Sequence, residues 1–352
     1  MIRTFRLLLL PFSVIYGIVV VLRNKLYDWQ LFKSTQFDIP VICVGNLVVG
    51  GSGKSPVTEY LVNLLVEYKV AILSRGYGRE TKGFLYADDT ATAKSIGDEP
   101  LQFYHKFPQV TVAVCEDRVA GIKRLKATHQ VILLDDAYQH RRLRPGFSVL
   151  LFEFQKLQQL QMLLPAGNMR EPFSGYKRAD ILLVTKSPEQ ISTAQRNTCT
   201  RKFNDQAQKN LFFSSILYGD LTGLYTKSQQ NLIHLKDKTV FLLTGIANPK
   251  PLLTYLEHFN SDIVHHNYPD HHAFSSQNIS RLVKAFHGHP GKEKIILTTE
   301  KDAQRLFDVT IKELLLNLPV FYLPIKIDVE ADRKNEFDQK ILKYVSDTTR
   351  NR

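Results

Sequence analysis

Apolar residues are grouped along this chain in short unbroken runs. Those at 40–45 (PVICVG), 69–73 (KVAIL), 109–114 (QVTVAV), 130–135 (QVILLD), 147–152 (FSVLLF) and 179–185 (ADILLVT) each predict a strand. A strand that is hydrophobic throughout belongs inside a sheet covered by helices on both faces. The stretches between the runs carry apolar residues at helical spacing. That alternation predicts an α/β fold with a doubly wound, mainly parallel sheet. A second rhythm begins after residue 238. Strands at 239–244, 262–266, 294–298 and 319–323 alternate there with helices near 249–259, at 276–287 and at 301–308. Residues 205–238 break the pattern, being rich in Gln, Lys, Asn, Thr and Ser with short strand-like pieces (LFFSSILYG, TGLYT, NLIHL). They read as an extended, β-hairpin-like connector. The expected organisation is an apolar helix at 1–30, a larger α/β domain at 31–204, the connector at 205–238 and a smaller α/β domain at 239–352.

The first thirty residues stand apart. Leu7 to Leu22 (LLLLPFSVIYGIVVVL) is apolar, with Arg3 and Arg6 before it and Arg23 and Lys25 after. As a helix at about 1.5 Å per residue this run reaches roughly 24 Å, short of a bilayer core of about 30 Å. No small-x-small cleavage site follows, so a secretory leader is not expected. Tyr16, Tyr27 and Trp29 suit a headgroup boundary, and the flanking cations suit lipid phosphates. Attachment to a membrane surface is therefore expected over a buried first helix. No later stretch resembles a spanning helix, so the bulk of the chain is expected to be soluble.

The chain has 352 residues, with 46 Lys and Arg against 34 Asp and Glu for a formal charge of +12. That length suits two α/β domains, and 44% hydrophobic with 23% charged residues is globular composition, which excludes wholesale disorder. Cys43, Cys115 and Cys199 are odd in number, widely spaced and without a Cys-x-x-Cys pair. They argue against a disulfide scaffold or a cysteine zinc site and fit a reducing compartment. The basic excess suits an anionic partner such as nucleic acid, a membrane surface or a phosphorylated substrate. It is spread without a Lys/Arg block, and nucleic acid is not the expected partner. Nothing in the chain specifies an oligomeric state.

The strongest chemical signal is Gly45-Asn-Leu-Val-Val-Gly50-Gly51-Ser52-Gly53-Lys54-Ser55-Pro56, which follows a buried-type strand and precedes a helix marked by Val57, Tyr60, Leu61, Leu64 and Leu65. Glycines let successive backbone N–H groups turn towards phosphate oxygens, and the helix N-terminus adds partial positive charge. Lys54 is placed to reach the β- and γ-phosphates, and the Ser55 hydroxyl to hold Mg²⁺. The usual pattern has glycine where Val48 stands. Val131-Ile-Leu-Leu-Asp135-Asp136 adds a strand ending in carboxylates, the design that sets an acid beside the metal of an ATP site. Either acid fits that role; the other then bonds a neighbouring turn.

Two phosphate-loop classes lose ground. A Min/ParA-type ATPase carries lysine where Val49 stands. A GTPase needs Asn-Lys-x-Asp, and the nearest segment, Thr185-Lys186-Ser187-Pro188, lacks both the Asn and the Asp. The ordered blocks GNLVVGGSGKSP, SRGYGR (74–79), GDEP (97–100), DDAYQHRRL (135–143), LPAGNMREP (164–172), PDHHAF (269–274) and TEKDA (299–303) resemble the tetraacyldisaccharide 4'-kinase family of Gram-negative bacteria. The likeness runs from the apolar first segment to about residue 308. The family usually has Thr where Val48, Ser52 and Ser55 stand, and Gly-Phe where Ala137-Tyr138 stand. Ser55 keeps the metal-binding hydroxyl.

The resemblance implies a P-loop NTPase-like kinase that uses ATP and Mg²⁺ at the cytoplasmic face of the inner membrane. Its acceptor is the lipid A disaccharide 1-phosphate precursor. Phosphorylating a sugar hydroxyl needs a base near it and cations around the γ-phosphoryl group. Asp98 is the candidate base, although Asp before a helix is also an ordinary cap; the resemblance favours catalysis. Glu99 is either a second metal carboxylate or first-turn charge. The resemblance further implies that His271 partners Asp98 across a cleft. It also implies that Arg75, Tyr77, Arg118, Gln139, His140 and Arg170 line the disaccharide and phosphate site, where guanidinium forks suit a phosphate dianion. Outside the resemblance, Arg170 and Glu171 read equally as an ion pair and Thr299–Asp302 as a charged helix start. Two rival functions remain at this point: a membrane-associated ATPase switch, and a P-loop kinase acting on a soluble metabolite.

Overall fold

Two sheets divide the chain, which a computed structural model describes from residue 6 to 350 except for 227, 260 and 292; Arg3 lies outside the described residues. The larger sheet is built from β1 (Val41–Asn46), β2 (Val70–Ser74), β3 (Leu85–Tyr86), β4 (Thr111–Val114), β5 (Val131–Asp135), β6 (Phe147–Glu153), β7 (Ile181–Thr185) and β8 (Leu211–Tyr218). The smaller sheet takes β9 (Leu221–Gly223), β10 (Gln229–Gln230), β11 (Thr239–Thr244), β12 (Asp262–Asn267), β13 (Lys294–Thr299) and β14 (Val320–Leu323). The last strand, β15 (Ile325–Val329), returns to the larger sheet, whose order is β15-β8-β7-β6-β1-β5-β2-β4-β3. Its interior is parallel from β8 to β4, with antiparallel β15 and β3 at the edges. The smaller sheet runs β10-β9-β14-β13-β11-β12, with its last four strands parallel.

The unbroken apolar runs have their expected cause. Every residue of β1 is buried. Val41 and Cys43 enter the core on one face, while Ile42 and Val44 enter the core on the other. The second core is closed by the C-terminal helix Ala331–Arg350, whose Phe337, Ile341 and Val345 repeat every four residues against Val57 and Leu61 of the helix Lys54–Leu64.

The connector expected at 205–238 is divided between the two sheets. Its piece 211–218 is β8, paired parallel with β7, and 221–230 supplies two antiparallel strands of the smaller sheet. Residues 325–350, expected in the C-terminal unit, instead pair with β8 and cover the larger sheet. The chain thus crosses between sheets twice. The crossings lie side by side, with Gly219 N–H donating to Pro324 O at 2.9 Å.

The first helix, Leu10–Asp28, is 19 residues long and extends past the apolar run that marks it in sequence. At about 1.5 Å per residue it spans roughly 28 Å; by length and composition it is able to cross a membrane. Its polarity is reversed for a surface helix. Ser13, Gly17, Val20 and Asn24 face the protein, while Phe12, Val14, Ile15, Ile18, Val19 and Leu22 are all exposed. The inward face docks through polar groups. Ser13 Oγ donates to Leu163 O and accepts from Ala166 N–H, Tyr16 donates to Arg170 O at 2.7 Å, and Asn24 donates to the buried Glu171 carboxylate at 3.0 Å.

Candidate active site

The phosphate loop hangs from the end of β1 and turns through glycines. Gly50 and Gly53 hold φ of 104° and 83°, and Gly53 is the residue before the helix Lys54–Leu64. Side chains with a Cβ rarely adopt such angles. Asn46 braces the loop from inside, donating to Ser52 Oγ at 2.5 Å and Gly50 O at 3.3 Å. From β7, the Thr185 hydroxyl donates to Ser52 O at 2.8 Å and Lys186 Nζ to Gly51 O at 2.6 Å. Ser52 is therefore a buried brace whose side chain is already engaged. Val48 forms a bridge with Met169, and Val49 N–H donates to Asn168 O. Extended pairing explains why position 48 carries valine: the backbone there has no need of a left-handed turn.

The two acids at the end of β5 have separate surroundings. Asp135 is fully buried; Ser74 Oγ lies 3.4 Å from Oδ2, and Oδ1 has no hydrogen-bond partner among the described residues. Burial pushes its carboxyl up to about 8, reinforced by the charges of Glu99 and Asp136 and opposed by Lys54 and Arg118. Asp136 turns outward in a left-handed conformation, φ 50°. Arg170 Nη1 donates to both its oxygens at 2.9 and 3.0 Å, and Lys54 Nζ stands 3.7 Å away. The buried, unpartnered Oδ1 of Asp135 fits a cation; Asp136 is occupied by its two cationic neighbours. Ser55 and Glu99 are half-buried.

Asp98 begins the helix Asp98–Lys106 and meets the smaller sheet. Its Oδ2 lies 3.2 Å from His271 Nδ1 and accepts from Arg305 Nε at 2.9 Å and Nη2 at 2.7 Å. Burial works against the charge, yet the His271 and Arg305 hydrogen bonds outweigh it and hold the carboxyl below its ordinary range. His271 is held in a left-handed conformation, φ 57°, a strain that local packing must support. Lys301 Nζ sits 3.0 Å from its Nε2. An ammonium only donates, so Nε2 accepts and Nδ1 carries the ring proton towards Asp98.

The remaining expected residues fall into two groups. Arg75 and Tyr77 are exposed, with the Tyr77 ring centroid 5.8 Å from that of His271. Arg170, Gln139 and His140 are half-buried, and Gln139 bonds Asn46 O, Glu171 and Arg170. Arg118 is buried and donates to the carbonyls of Glu116 and Asp136; it braces the acidic turn, and its guanidinium is not spread at the cleft surface. Glu171 pairs with Arg178, at 3.0 and 2.9 Å, and Arg170 with Asp136, so the adjacent pair suggested by the sequence does not form. Sequence reasoning missed Arg305 and Lys301. Their signal is the 299–305 segment, where charges at positions 300, 301, 302 and 305 follow a strand and occupy a short helix and the 3₁₀ turn after it.

The family model described as tetraacyldisaccharide-1-P 4'-kinase matches residues 5–346. A tetraacyldisaccharide 4'-kinase of Bacteroides thetaiotaomicron is 43% identical, covering 97% of this chain and 94% of its own. One from Flavobacterium johnsoniae is 42% identical, covering 97% and 98%. A crystal structure of apo-form LpxK from Aquifex aeolicus in complex with ATP matches with a TM-score of 0.76 at 30% identity, covering 98% of this chain and 99% of that one.

Proposed function

This chain belongs to the tetraacyldisaccharide-1-P 4'-kinase family, and from that premise we propose how its residues carry the reaction. The enzyme transfers the γ-phosphoryl group of ATP to the 4'-hydroxyl of a tetraacyl glucosamine disaccharide 1-phosphate, a step of lipid A synthesis. The ATPase switch and the soluble-metabolite kinase fall away, because relatives matched along nearly their whole length are kinases of this one acceptor.

The supporting observation is that Lys54 and Glu99 both stand close enough to the buried Asp135 for their charges to act on its carboxyl, with Lys54 Nζ 3.7 Å from the neighbouring Asp136. Loop N–H groups from Gly50 to Ser55 and the Lys54 ammonium hold the β- and γ-phosphates. Ser55, Asp135 and Glu99 would hold Mg²⁺, which when bound would supply positive charge against that of the phosphates. Asp136 keeps Lys54 and Arg170 apart and in place. Asp98 takes the hydroxyl proton through Oδ1 as the sugar oxygen bonds the γ-phosphorus and ADP leaves. His271 fixes Asp98 from its other oxygen, itself fixed by Lys301. Arg75, Tyr77, Gln139, His140 and Arg170 meet the sugar and its 1-phosphate, with Arg118 setting the turn beneath them.

The outward apolar face of Leu10–Asp28 lies in the cytoplasmic leaflet of the inner membrane and keeps the acyl chains at the site. An open groove of about 740 Å³ runs between Val14, Ile18 and Leu22 on the helix and Met162 and Leu163 beside it. Purified enzyme incubated with labelled ATP and a membrane lipid extract should label one acylated disaccharide species. ATP consumption without labelled lipid would refute the acceptor. Ile18→Asp with Leu22→Asp should move the enzyme from the membrane fraction to the soluble one; unchanged partition removes the helix from the anchor.

A further inference from the structure

Every hydrogen bond to the Asp98 carboxylate, among the described residues, ends on the same oxygen. Arg305 contributes both Nε and Nη2 to Oδ2, and His271 adds Nδ1. Arg305 is buried and is oriented before it reaches Asp98. Its Nη1 donates to Asp302 Oδ1 at 3.0 Å and to the carbonyls of His272 at 3.2 Å and Gly245 at 3.5 Å. Asp302 is fully buried and fixed in turn, accepting from Gly245 N–H at 3.0 Å and Thr299 Oγ1 at 2.7 Å. The guanidinium plane is thus set by the smaller sheet, whereas the carboxylate comes from the larger one.

A carboxylate on a free aspartate turns broadly about its last bond, because that torsion has only shallow preferences. A planar fork with two N–H groups on one oxygen removes that freedom, and a lysine ammonium, as a point charge, does not. We propose that Arg305 is a positioning residue for phosphoryl transfer: it holds Oδ2 so that Oδ1 of Asp98 faces the acceptor hydroxyl. The base is then competent only while the segment from Thr299 to Phe307 is docked on the helix Asp98–Lys106. That docking is visible in further contacts, with His105 Nδ1 2.8 Å from Gln304 Oε1 and Lys106 Nζ 2.7 Å from Glu300 Oε1. The inference rests on Asp98 as the base.

The test compares Arg305→Lys, Asp98→Asn and the double variant in the full-length enzyme. Arg305→Lys keeps the charge and loses the fork. It should lower kcat by about 10²-fold, the cost of misplacing a reacting group by about 1 Å, with KM for ATP unchanged. In the Asp98→Asn background the same substitution should cost nothing more, since Arg305 acts only through that carboxylate. Wild-type kcat in Arg305→Lys, or losses that multiply in the double variant, would overturn the proposal. Should Arg305→Lys fold poorly, Asp302→Asn loosens the guanidinium without touching Asp98 and should lower kcat in the same direction at constant KM for ATP; unaltered kcat there also counts against it. Normal turnover by Asp98→Asn alone would instead remove the base assignment, a separate failure.

Discussion

At the nucleotide end of the cleft, strand, loop and helix follow one another between Val41 and Leu64, and the neighbouring strand supplies Asp135. At the base end, Asp98 depends on His271 and Arg305, respectively 173 and 207 residues further along the chain. The first arrangement is held by its own backbone and by the sheet in which it sits. The second exists only while two sheets are docked. On the proposal above, the phosphate loop is complete within the larger sheet, whereas the base is assembled only while the segment from Thr299 to Phe307 is docked on the helix Asp98–Lys106.

The largest effect tests the self-contained end. Lys54→Ala removes the one loop cation from the phosphates and should lower kcat by about 10³-fold, the scale of a lost charge on a transferring phosphoryl group. Steady-state assay at saturating ATP measures it. Near-normal turnover would mean that this end is not the phosphate site.

Asp98→Asn comes next, with an expected loss in kcat of at least about 10²-fold, the low range for a general base. ATP affinity, read by equilibrium binding, should stay at the wild-type value, since no nucleotide contact leaves with the carboxylate. A parallel loss of ATP affinity would show that the two ends are not separate devices.

The same division explains what the sequence made legible. Gly50 to Ser55 are consecutive, so spacing alone exposed the phosphate loop, and the six buried strand runs exposed the larger sheet. Arg305 was invisible because its meaning comes from docking; in sequence it is one arginine on a charged turn. The last two strands on one side of the larger sheet, β8 and β15, escape the sequence pattern for a related reason. β15 alternates exposed and buried positions, and the later part of β8 faces partly outward. Neither resembles the central runs, and 211–218 was read as connector. The first helix is legible as apolar, but its docking face is hidden because Ser13 bonds Leu163 and Ala166, Asn24 bonds Glu171 and Gly17 packs closely on Leu163.

A smaller effect separates the two acids of β5. Asp135→Asn should raise the Mg²⁺ concentration for half-maximal activity by about 10-fold or more, on the scale of disturbed metal sites. Asp136→Asn should leave that concentration nearly unchanged and act through Lys54 and Arg170. Mg²⁺ titrations of both variants decide it, and reversal of the two results would exchange their roles.

The smallest effect concerns a second place, besides Glu99 and Asp135, where the two ends touch through charge. Lys106 Nζ lies 2.7 Å from Glu59 of the loop helix and 2.7 Å from Glu300 of the smaller sheet, and Gln102 donates to Glu59 at 2.7 Å. One cation thus faces two buried carboxylates. Burial, then the Glu300 charge, pushes the Glu59 carboxyl up to about 7, against the pull of Lys106 and Gln102. A carboxyl raised in the folded state binds its proton more tightly folded than unfolded. Its contribution to stability is therefore complete below the ordinary carboxylate range and is lost as pH rises through about 7. Glu59→Gln replaces that proton with a permanently neutral amide of similar shape. Between pH 5 and pH 8 the wild-type melting temperature should fall by a few degrees more than that of Glu59→Gln, both measured by calorimetry at one ionic strength. Parallel curves would mean that Glu59 does not hold that proton in the folded state, and that the ion pair with Lys106 joins the loop helix to the base helix across this pH range.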